Sequence, residues 1–220
     1  MDTITRQPCT RPDLVPRIPM LNLLEASSHT PMVVVLAPPG YGKTTLLAQW
    51  ADRDPRQFAW LTTGHDDNDP SVLLRHIAAA LDRIELAALP VVLVLDDLHL
   101  LENREGLMVV GRLIDDLPTG SQLAIASSGE PPLPLARLRA EGRVLEIGPD
   151  DLAMDHHELT AILENAELSA EPAEVGELLE RTEGWPVALQ HARVPPRPAQ
   201  ALVPAAPAVP GAAWQPAGSR

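Results

Sequence analysis

Residues 32 to 50 constrain this chain more than any other stretch. Four apolar β-formers, Met32 to Val35, run into a loop rich in proline and glycine, and Lys43 opens a stretch of helical character. In that order of strand, loop and helix, the N–H groups of the loop and of the first helical turn point at an anion. Gly40 and Gly42 let the backbone approach a polyphosphate closely. The stretch therefore predicts a phosphate-binding loop.

The first two residues of this helix add the chemistry of a nucleotide site. Lys43 would reach the β- and γ-phosphates as a compact positive charge, and the Thr44 hydroxyl would ligate Mg²⁺. Lys43 is the one lysine in a chain with sixteen arginines, and an ammonium fits between phosphates where a guanidinium fork does not. The strict phosphate-loop (P-loop) pattern begins with glycine, whereas this chain has Ala37, and the competing interpretation is a Gly/Pro turn with an incidental lysine. The pattern predicts an ATP/ADP and Mg²⁺ site whose cofactor-binding residues include Pro39, Gly40, Tyr41, Gly42, Lys43, Thr44 and Thr45.

Composition and charge narrow the function classes. The formal net charge of −13 repels the phosphate backbone of nucleic acids, so direct DNA binding by this chain is not expected. The single Cys9 cannot form an internal disulfide and suits a reducing compartment. No apolar run approaches membrane-spanning length, and the N-terminus lacks the apolar region of a secretory signal. These features predict a cytoplasmic, soluble protein with no membrane partner.

Apolar strand-like runs alternate with helical stretches along the chain. The runs lie at residues 32–35, 58–61, 91–95, 122–126 and 144–147. Strands separated by helices indicate βαβ units and a parallel sheet. The predicted fold class is α/β, a P-loop NTPase with a five-stranded parallel sheet flanked by helices and a small C-terminal helical lid. The predicted domains are an extended N-terminal arm (1–20), a nucleotide-binding domain (21–150), a helical lid segment (151–191) and a Pro/Ala-rich disordered tail (192–220).

An acidic pair follows the third apolar run. Asp96 fits the strand-end carboxylate that holds Mg²⁺, and Asp97 is placed to orient or activate an attacking water in phosphoryl transfer. Two adjacent carboxylates repel each other unless a cation or a donor is close, so the pair itself indicates Mg²⁺. The alternative is a strand-end pair that caps a helix. Thr44 and Asp96 are therefore the predicted metal ligands and Asp97 the predicted catalytic residue.

Two other polar clusters are predicted to be structural. Residues 65–70 lack the spacing of a calcium loop and indicate a helix cap followed by a proline at the first helical position. Residues 155–158, Asp-His-His-Glu, indicate the start of a surface helix rather than a metal site, since adjacent histidines on a helix point in different directions.

Several motifs together resemble one family. The P-loop, residues 60–70, residues 93–99, residues 131–139 and residues 183–189 are similar in kind and order to motifs of the MalT-like, LuxR-family regulators. These regulators are signal-transduction ATPases with numerous domains (STAND). The resemblance covers roughly residues 11 to 190. It implies a sheet with the P-loop strand central and a lid that distinguishes ATP from ADP. It also implies that Val15, Arg17 and Pro186 lie near the adenine base.

This chain departs from the family pattern in several places. The helical insert before the third strand is short, at residues 85–90, and Ser128 stands where the family has an arginine after the fourth strand. In the resemblance that arginine extends towards the γ-phosphate, and Arg137 or Arg139 could substitute for it from another direction. The winged-helix, sensor and helix-turn-helix regions that should follow do not occur, so a truncated form is expected.

The function predicted from the sequence is an ATP/ADP-binding P-loop module of a MalT-like regulator with weak or no ATP hydrolysis. The expected partners are the nucleotide and, beyond it, a second copy or a full-length relative. One alternative is a non-catalytic, ADP-locked interaction module that pairs with such a relative. A small-molecule kinase is the other, and the Gly184-Trp185-Pro186 motif argues against it.

Overall fold

The computed structural model describes residues 7–9, 14–84, 90–166, 168 and 170–192. The chain forms two compact units, residues 1–153 and residues 154–220. Most of the predicted tail, part of the predicted arm and residues 85–89 of the short insert lie outside the described residues. The domain boundaries given above stay a prediction.

A five-stranded parallel sheet forms the centre of the first unit. Its strands are β1 (Met32–Leu36), β2 (Gln57–Thr62), β3 (Val91–Asp96), β4 (Gln122–Ser127) and β5 (Val144–Ile147), in the order β2-β3-β4-β1-β5. Every residue of β1, β3 and β4 is buried. Burial on both faces explains why these strands are continuous apolar runs rather than alternating ones. The predicted α/β fold class is confirmed.

The P-loop strand is interior but not central. β1 lies between β4 and β5. The edge strand β5 is on one side of it, and three strands, β4, β3 and β2, are on the other. The middle position belongs to β4, whereas the family resemblance implied β1.

Helices cover both faces of this sheet. They are α1 (Ile18–Ala26), α2 (Lys43–Arg53), α3 (Pro70–Leu81), α4 (Arg104–Asp116), α5 (Leu135–Ala140) and α6 (Pro149–Leu152). Val33 and Val35 of β1 pack in one apolar cluster with α1 and α2. The alternate residues of β1 (Met32, Val34, Leu36) pack in a second cluster with α3, α4 and α5. The alternation places the P-loop helix and helix α4 on opposite faces.

Side-chain caps fix where α3 and α4 begin. The Asp69 carboxylate accepts hydrogen bonds from the amides of Ser71 and Val72, and Pro70 is the first residue of α3, which confirms the predicted cap. Helix α4 begins at Arg104, where the Asn103 side chain accepts from the amide of Glu105.

The second unit is helical. Its helices are α7 (His156–Asn165), α8 (Pro172–Thr182) and α9 (Pro186–Ala192), which share a small core of Leu159, Val175 and Leu189. Asp155 caps α7 by accepting from the amide of Glu158 at 2.8 Å, which confirms the predicted helix start at this cluster.

Across the described ranges, no helix combines the length and the apolar character needed to cross a membrane.

Candidate nucleotide-binding site

The loop between β1 and α2 turns on two glycines. Gly40 has φ of 85° and Gly42 has φ of 81°, and Gly42 is the residue that precedes α2. A Cβ added at Gly42 would meet no heavy atom within 4 Å, so its left-handed backbone, not crowding, favours glycine. The two positive φ angles let residues 37–42 turn the chain from the strand into the helix.

The Lys43 ammonium is buried and held by the loop that precedes it. Lys43 is 6% exposed, and its Nζ donates to the carbonyl oxygens of Ala37 at 2.7 Å and Pro38 at 3.2 Å. It also lies 3.3 Å from the Oγ of Ser128. Burial lowers the pKa of Lys43, and the nearby carboxylates of Asp97 and Asp96 oppose that shift. The single lysine of the chain therefore lies within the P-loop.

Thr44 and Asp96 form the second contact of the site. The Thr44 hydroxyl donates to Asp96 Oδ2 at 2.9 Å, and the Asp97 amide donates to Asp96 Oδ1 at 3.1 Å. Asp96 is 2% exposed, and its pKa is raised to about 6, chiefly by burial and also by the charge of Asp97. The hydrogen bond from Thr44 opposes the rise.

This pair fits a magnesium ion by its chemistry. A hydroxyl and a carboxylate are hard oxygen donors, and Mg²⁺ takes one or two carboxylates together with waters and substrate phosphates. No cluster of three or more His, Cys, Asp or Glu side chains suited to a metal occurs among the residues described. Mg²⁺ does not need a complete protein cage, so the chemistry of the Thr44–Asp96 pair is compatible with this ion.

Asp97 is more open than its neighbour. Its side chain is 42% exposed, and its Oδ1 lies 3.9 Å from His99 Nδ1. Its backbone is left-handed, with φ of 57° and ψ of 34°. Asp96 is thus buried and the side chain of Asp97 is exposed, and the roles of metal ligand and catalytic residue stay predictions.

The end of β4 brings a serine, not a cation, to the P-loop. Ser128 follows Ser127, the last residue of β4, and contacts Lys43 as described above. The two arginines that could substitute are paired with glutamates on the surface. Arg139 Nη2 donates to Glu130 Oε1 at 2.9 Å and to Glu146 Oε2 at 3.0 Å, and Arg137 Nε donates to Glu141 Oε1 at 2.7 Å.

Gln49 of α2 holds the segment that precedes α1. Its Nε2 donates to the Val15 carbonyl at 3.1 Å, and its Oε1 accepts from the Arg17 amide at 3.2 Å. The Arg17 guanidinium is buried and donates to the carbonyls of Leu152 at 2.9 Å, Ala153 at 3.1 Å and Asp151 at 3.2 Å. Val15 and Arg17 are thereby attached to the P-loop helix. Gln49 could not be predicted as part of the site, since one glutamine on an amphipathic helix carries no local signal.

The structure brings four of the predicted site residues together in the first unit. Lys43, Thr44, Asp96 and Asp97 meet at the carboxyl ends of β1 and β3. In the P-loop, Pro39 is exposed, Thr45 is half-buried, and Tyr41 is half-buried and packs on the apolar cluster of α1 and α2. Pro186 belongs to the second unit, where it is buried as the first residue of α9.

The chain is similar to several curated proteins, although no family model matches it. It is 29% identical over 203 residues to the HTH-type transcriptional regulator MalT of Cronobacter sakazakii, with 78% of this chain and 22% of MalT covered. It is also 29% identical over 212 residues to the serine/threonine-protein kinase PknK of Mycobacterium tuberculosis, with 80% and 19% covered. The chain thus spans about a fifth of the length of these relatives.

The fold also matches solved structures. The Thermotoga maritima RuvB Holliday junction branch migration motor aligns with a TM-score of 0.52 at 24% identity, over 80% of this chain and 59% of that one. At this identity the likeness concerns the fold alone. Together with the sequence matches it confirms the resemblance drawn from the motifs: this chain is similar to MalT-type transcriptional regulators and to PknK, and its fold is that of the P-loop NTPases.

Proposed function

We propose that this chain is the ATP/ADP-binding module of a MalT-like, LuxR-family regulator of the STAND class, with weak or no ATP hydrolysis. The observation that carries the proposal is the joint placement of Lys43 and of the Thr44–Asp96 pair. A buried ammonium lies in the loop, and a hydroxyl–carboxylate pair lies beside it. These are the groups that a Mg²⁺-nucleotide requires from a P-loop.

Each residue then has a distinct part in binding. The Lys43 ammonium exchanges the Ala37 and Pro38 carbonyls for phosphate oxygens, which are stronger acceptors because they are charged. The loop amides and the positive end of the α2 dipole contact the same anion. Thr44 and Asp96 would hold Mg²⁺, which when bound neutralises phosphate charge. We propose that Val15 and Arg17 lie near the base, as the family resemblance implies.

Slow hydrolysis follows from the polar groups around the γ-phosphate position. Asp97 has an exposed carboxylate that can orient a water. Ser128 supplies a short neutral hydroxyl where the family has an arginine, and Arg137 and Arg139 are paired with Glu141 and with Glu130 and Glu146. Transition-state charge on the phosphoryl group therefore lacks a second protein cation from these positions.

The neutral Ser128 also favours a second candidate function. A site that binds nucleotide but lacks the cationic finger would hold ADP as a fixed cofactor and act by pairing with a second copy or a full-length relative. Tight ADP retention with no turnover distinguishes this ADP-locked interaction module from a slow ATPase. We propose a cytoplasmic location for either form, since the MalT relatives are transcriptional regulators.

Identification of the co-purifying nucleotide tests the proposal. The purified chain is denatured, and the released small molecules are analysed by mass spectrometry, with Lys43→Ala prepared in parallel. We expect ADP or ATP near one equivalent per parent chain and almost none with Lys43→Ala. A parent that carries no nucleotide and binds neither Mg-ATP nor Mg-ADP in a calorimetric titration would refute the proposal.

A further inference from the structure

The residue after β2 contacts the backbone of the acidic pair. Thr63 is 2% exposed, and its amide donates to the Asp96 carbonyl at 2.8 Å. Its hydroxyl lies 3.0 Å from the same oxygen and 2.7 Å from the Asp97 carbonyl oxygen, so one buried donor is shared between both carbonyls.

These contacts support an unusual backbone at Asp97. The left-handed conformation at φ of 57° is one that residues other than glycine rarely adopt. The reversed Asp97 carbonyl is held by the Thr63 hydroxyl and by the Leu100 amide at 3.0 Å. Because the Asp97 amide donates to Asp96 Oδ1, the same backbone also orients the carboxylate predicted to hold Mg²⁺.

Asn68 holds the other end of the segment. Its Oδ1 accepts from the amides of Glu102 at 2.7 Å and Asn103 at 2.8 Å, and its Nδ2 donates to the Leu100 carbonyl at 2.9 Å. Asn68 ends a short 3₁₀ turn, His65–Asn68, that follows β2. The turn is anchored by Asp67, which is fully buried. The Asp67 carboxylate accepts from the Gly64 amide at 2.7 Å and lies 2.7 Å from His76 Nδ1.

We propose that Thr63 and Asn68 are positioning residues for the nucleotide site. They hold the backbone of residues 96–103 at its two ends, so that the Asp96 carboxylate faces Thr44 and the Asp97 carboxylate stays exposed beside it. Neither residue touches the nucleotide. The inference rests on the proposed function, because it assigns to Asp96 and Asp97 a role in binding Mg²⁺-nucleotide.

A purely structural role gives a different expectation. Loss of a buried hydrogen bond between two strand ends would lower the melting temperature and leave Mg²⁺ dependence unchanged. A positioning role instead weakens Mg²⁺ binding by Asp96, and so lowers the gain in nucleotide affinity that Mg²⁺ provides. Nucleotide binding without Mg²⁺ depends on the P-loop, which Thr63 and Asn68 do not contact in the described bonds, so it serves as an internal control.

Thr63→Val and Thr63→Ser form a matched pair for the test. Valine keeps the shape and loses the hydroxyl, whereas serine keeps the hydroxyl. ATP affinity is measured by calorimetry with Mg²⁺ and with EDTA, and the ratio of the two affinities is the readout. We expect Thr63→Val to reduce this ratio about fivefold or more with Mg²⁺-free affinity within about twofold of the parent, and Thr63→Ser to keep the parent ratio. Asn68→Ala should reduce the ratio in the same direction.

The outcomes separate this inference from the proposed function. A parent that binds no nucleotide refutes the proposed function and the inference with it. A parent that binds Mg-ATP, with folded Thr63→Val and Asn68→Ala that both keep the parent ratio, overturns the inference alone. Equal losses with Mg²⁺ and with EDTA also overturn it, since they indicate a structural role. If Thr63→Val does not fold, Asn68→Ala decides by the same ratio.

Discussion

The Nζ of Lys43 lies 3.3 Å from the Oγ of Ser128, so the P-loop lysine contacts the residue at the position where the family resemblance implies an arginine. The hydroxyl oxygen accepts from the ammonium and adds no charge. An arginine at the same position would place a second cation next to Lys43, where phosphate oxygens would separate the two charges. The structure thereby links the one lysine of the chain to the residue that we expect to limit its chemistry.

Ser128→Arg should raise single-turnover ATP hydrolysis at least about tenfold with little change in ADP affinity. A cationic finger in phosphoryl transfer is worth roughly a thousandfold or more in rate, so a partial gain from a single substitution is a modest expectation. Quenched-flow or radiolabelled single-turnover assays measure it, and Ser128→Ala is the control that removes the hydroxyl without adding charge. A parent that already hydrolyses ATP at rates typical of the family, or a folded Ser128→Arg with no gain, would contradict the prediction.

Lys43→Ala should weaken Mg-ATP and Mg-ADP binding about a hundredfold or more. Two charge-assisted hydrogen bonds at about 1.5–3 kcal/mol each account for a loss of this size. The melting temperature should stay close to that of the parent, because burial already disfavours the charged lysine. Isothermal titration checks the affinity, and Arg104→Ala, which removes an exposed cation on α4, is the control. Parent-like binding by Lys43→Ala would show that the P-loop assignment is wrong.

Thr44→Ala should reduce the Mg²⁺ dependence of nucleotide affinity while some ADP affinity remains. The substitution removes the donor to Asp96 Oδ2 and one predicted metal ligand, yet leaves Lys43 and the loop amides in place. Titrations of ADP with Mg²⁺ and with EDTA measure the effect, and Thr119→Ala, which changes an exposed threonine in the turn before β4, provides the comparison. An unchanged response to Mg²⁺ would speak against a metal site at Thr44.

Asp96→Asn should stabilise the ligand-free protein at neutral pH. The pKa of Asp96 rises from 3.8 to about 6 in the folded state, a difference equivalent to about 3 kcal/mol at most. The folded state binds the Asp96 proton more tightly than the unfolded state does. Protonated Asp96 therefore contributes its full stabilisation below pH 3.8, and this stabilisation is lost as the pH rises through about 6. Above that pH the ionised, buried carboxylate destabilises the fold.

Urea unfolding without Mg²⁺ or nucleotide, measured between pH 5 and pH 8, checks this expectation. Asp96→Asn should have the higher free energy of unfolding at pH 8 and should lose part of the pH dependence of the parent. Asp116→Asn removes an exposed carboxylate on α4 and serves as the control. An Asp96→Asn variant that is less stable than the parent at pH 8 would contradict the assignment of a destabilising carboxylate.

The purified chain should not bind duplex DNA in a sequence-specific manner. Its net charge of −13 repels the phosphate backbone of DNA. An acidic surface also releases few counterions from DNA, so counterion release adds little to the binding free energy. Gel-shift titrations at several salt concentrations, with specific and scrambled duplexes, measure the affinity. A salt-sensitive shift that prefers one sequence would show that this expectation is wrong.

The local parts of the fold and site could be predicted from the sequence. The continuous apolar run of β3 ends at a carboxylate, and that pattern alone indicates a buried parallel strand with a polar group at its carboxyl end. The P-loop is also local, since its glycines, lysine and threonine follow one another in a stretch of five residues from Gly40 to Thr44. Both features depend on residues that are adjacent in the chain.

The remaining features depend on partners far apart in the chain. Thr63 and Asp97 are 34 residues apart, and Lys43 and Ser128 are 85 apart, so no periodicity reveals either contact. The place of β1 within the sheet depends on the path of the crossover connections between the parallel strands, not on the residues of β1. Helix α6 is four residues long, too short to leave a periodic pattern.

The hydrogen bonds of Arg17 have a consequence for synthesis on the ribosome. Arg17 is synthesised well before its three carbonyl partners, which lie 134 to 136 residues later in the chain. The guanidinium therefore stays solvated until the chain beyond α6 has left the exit tunnel. Docking of this arginine onto residues 151–153 is then among the last events in the folding of the first unit, and it occurs only after all five strands have been made.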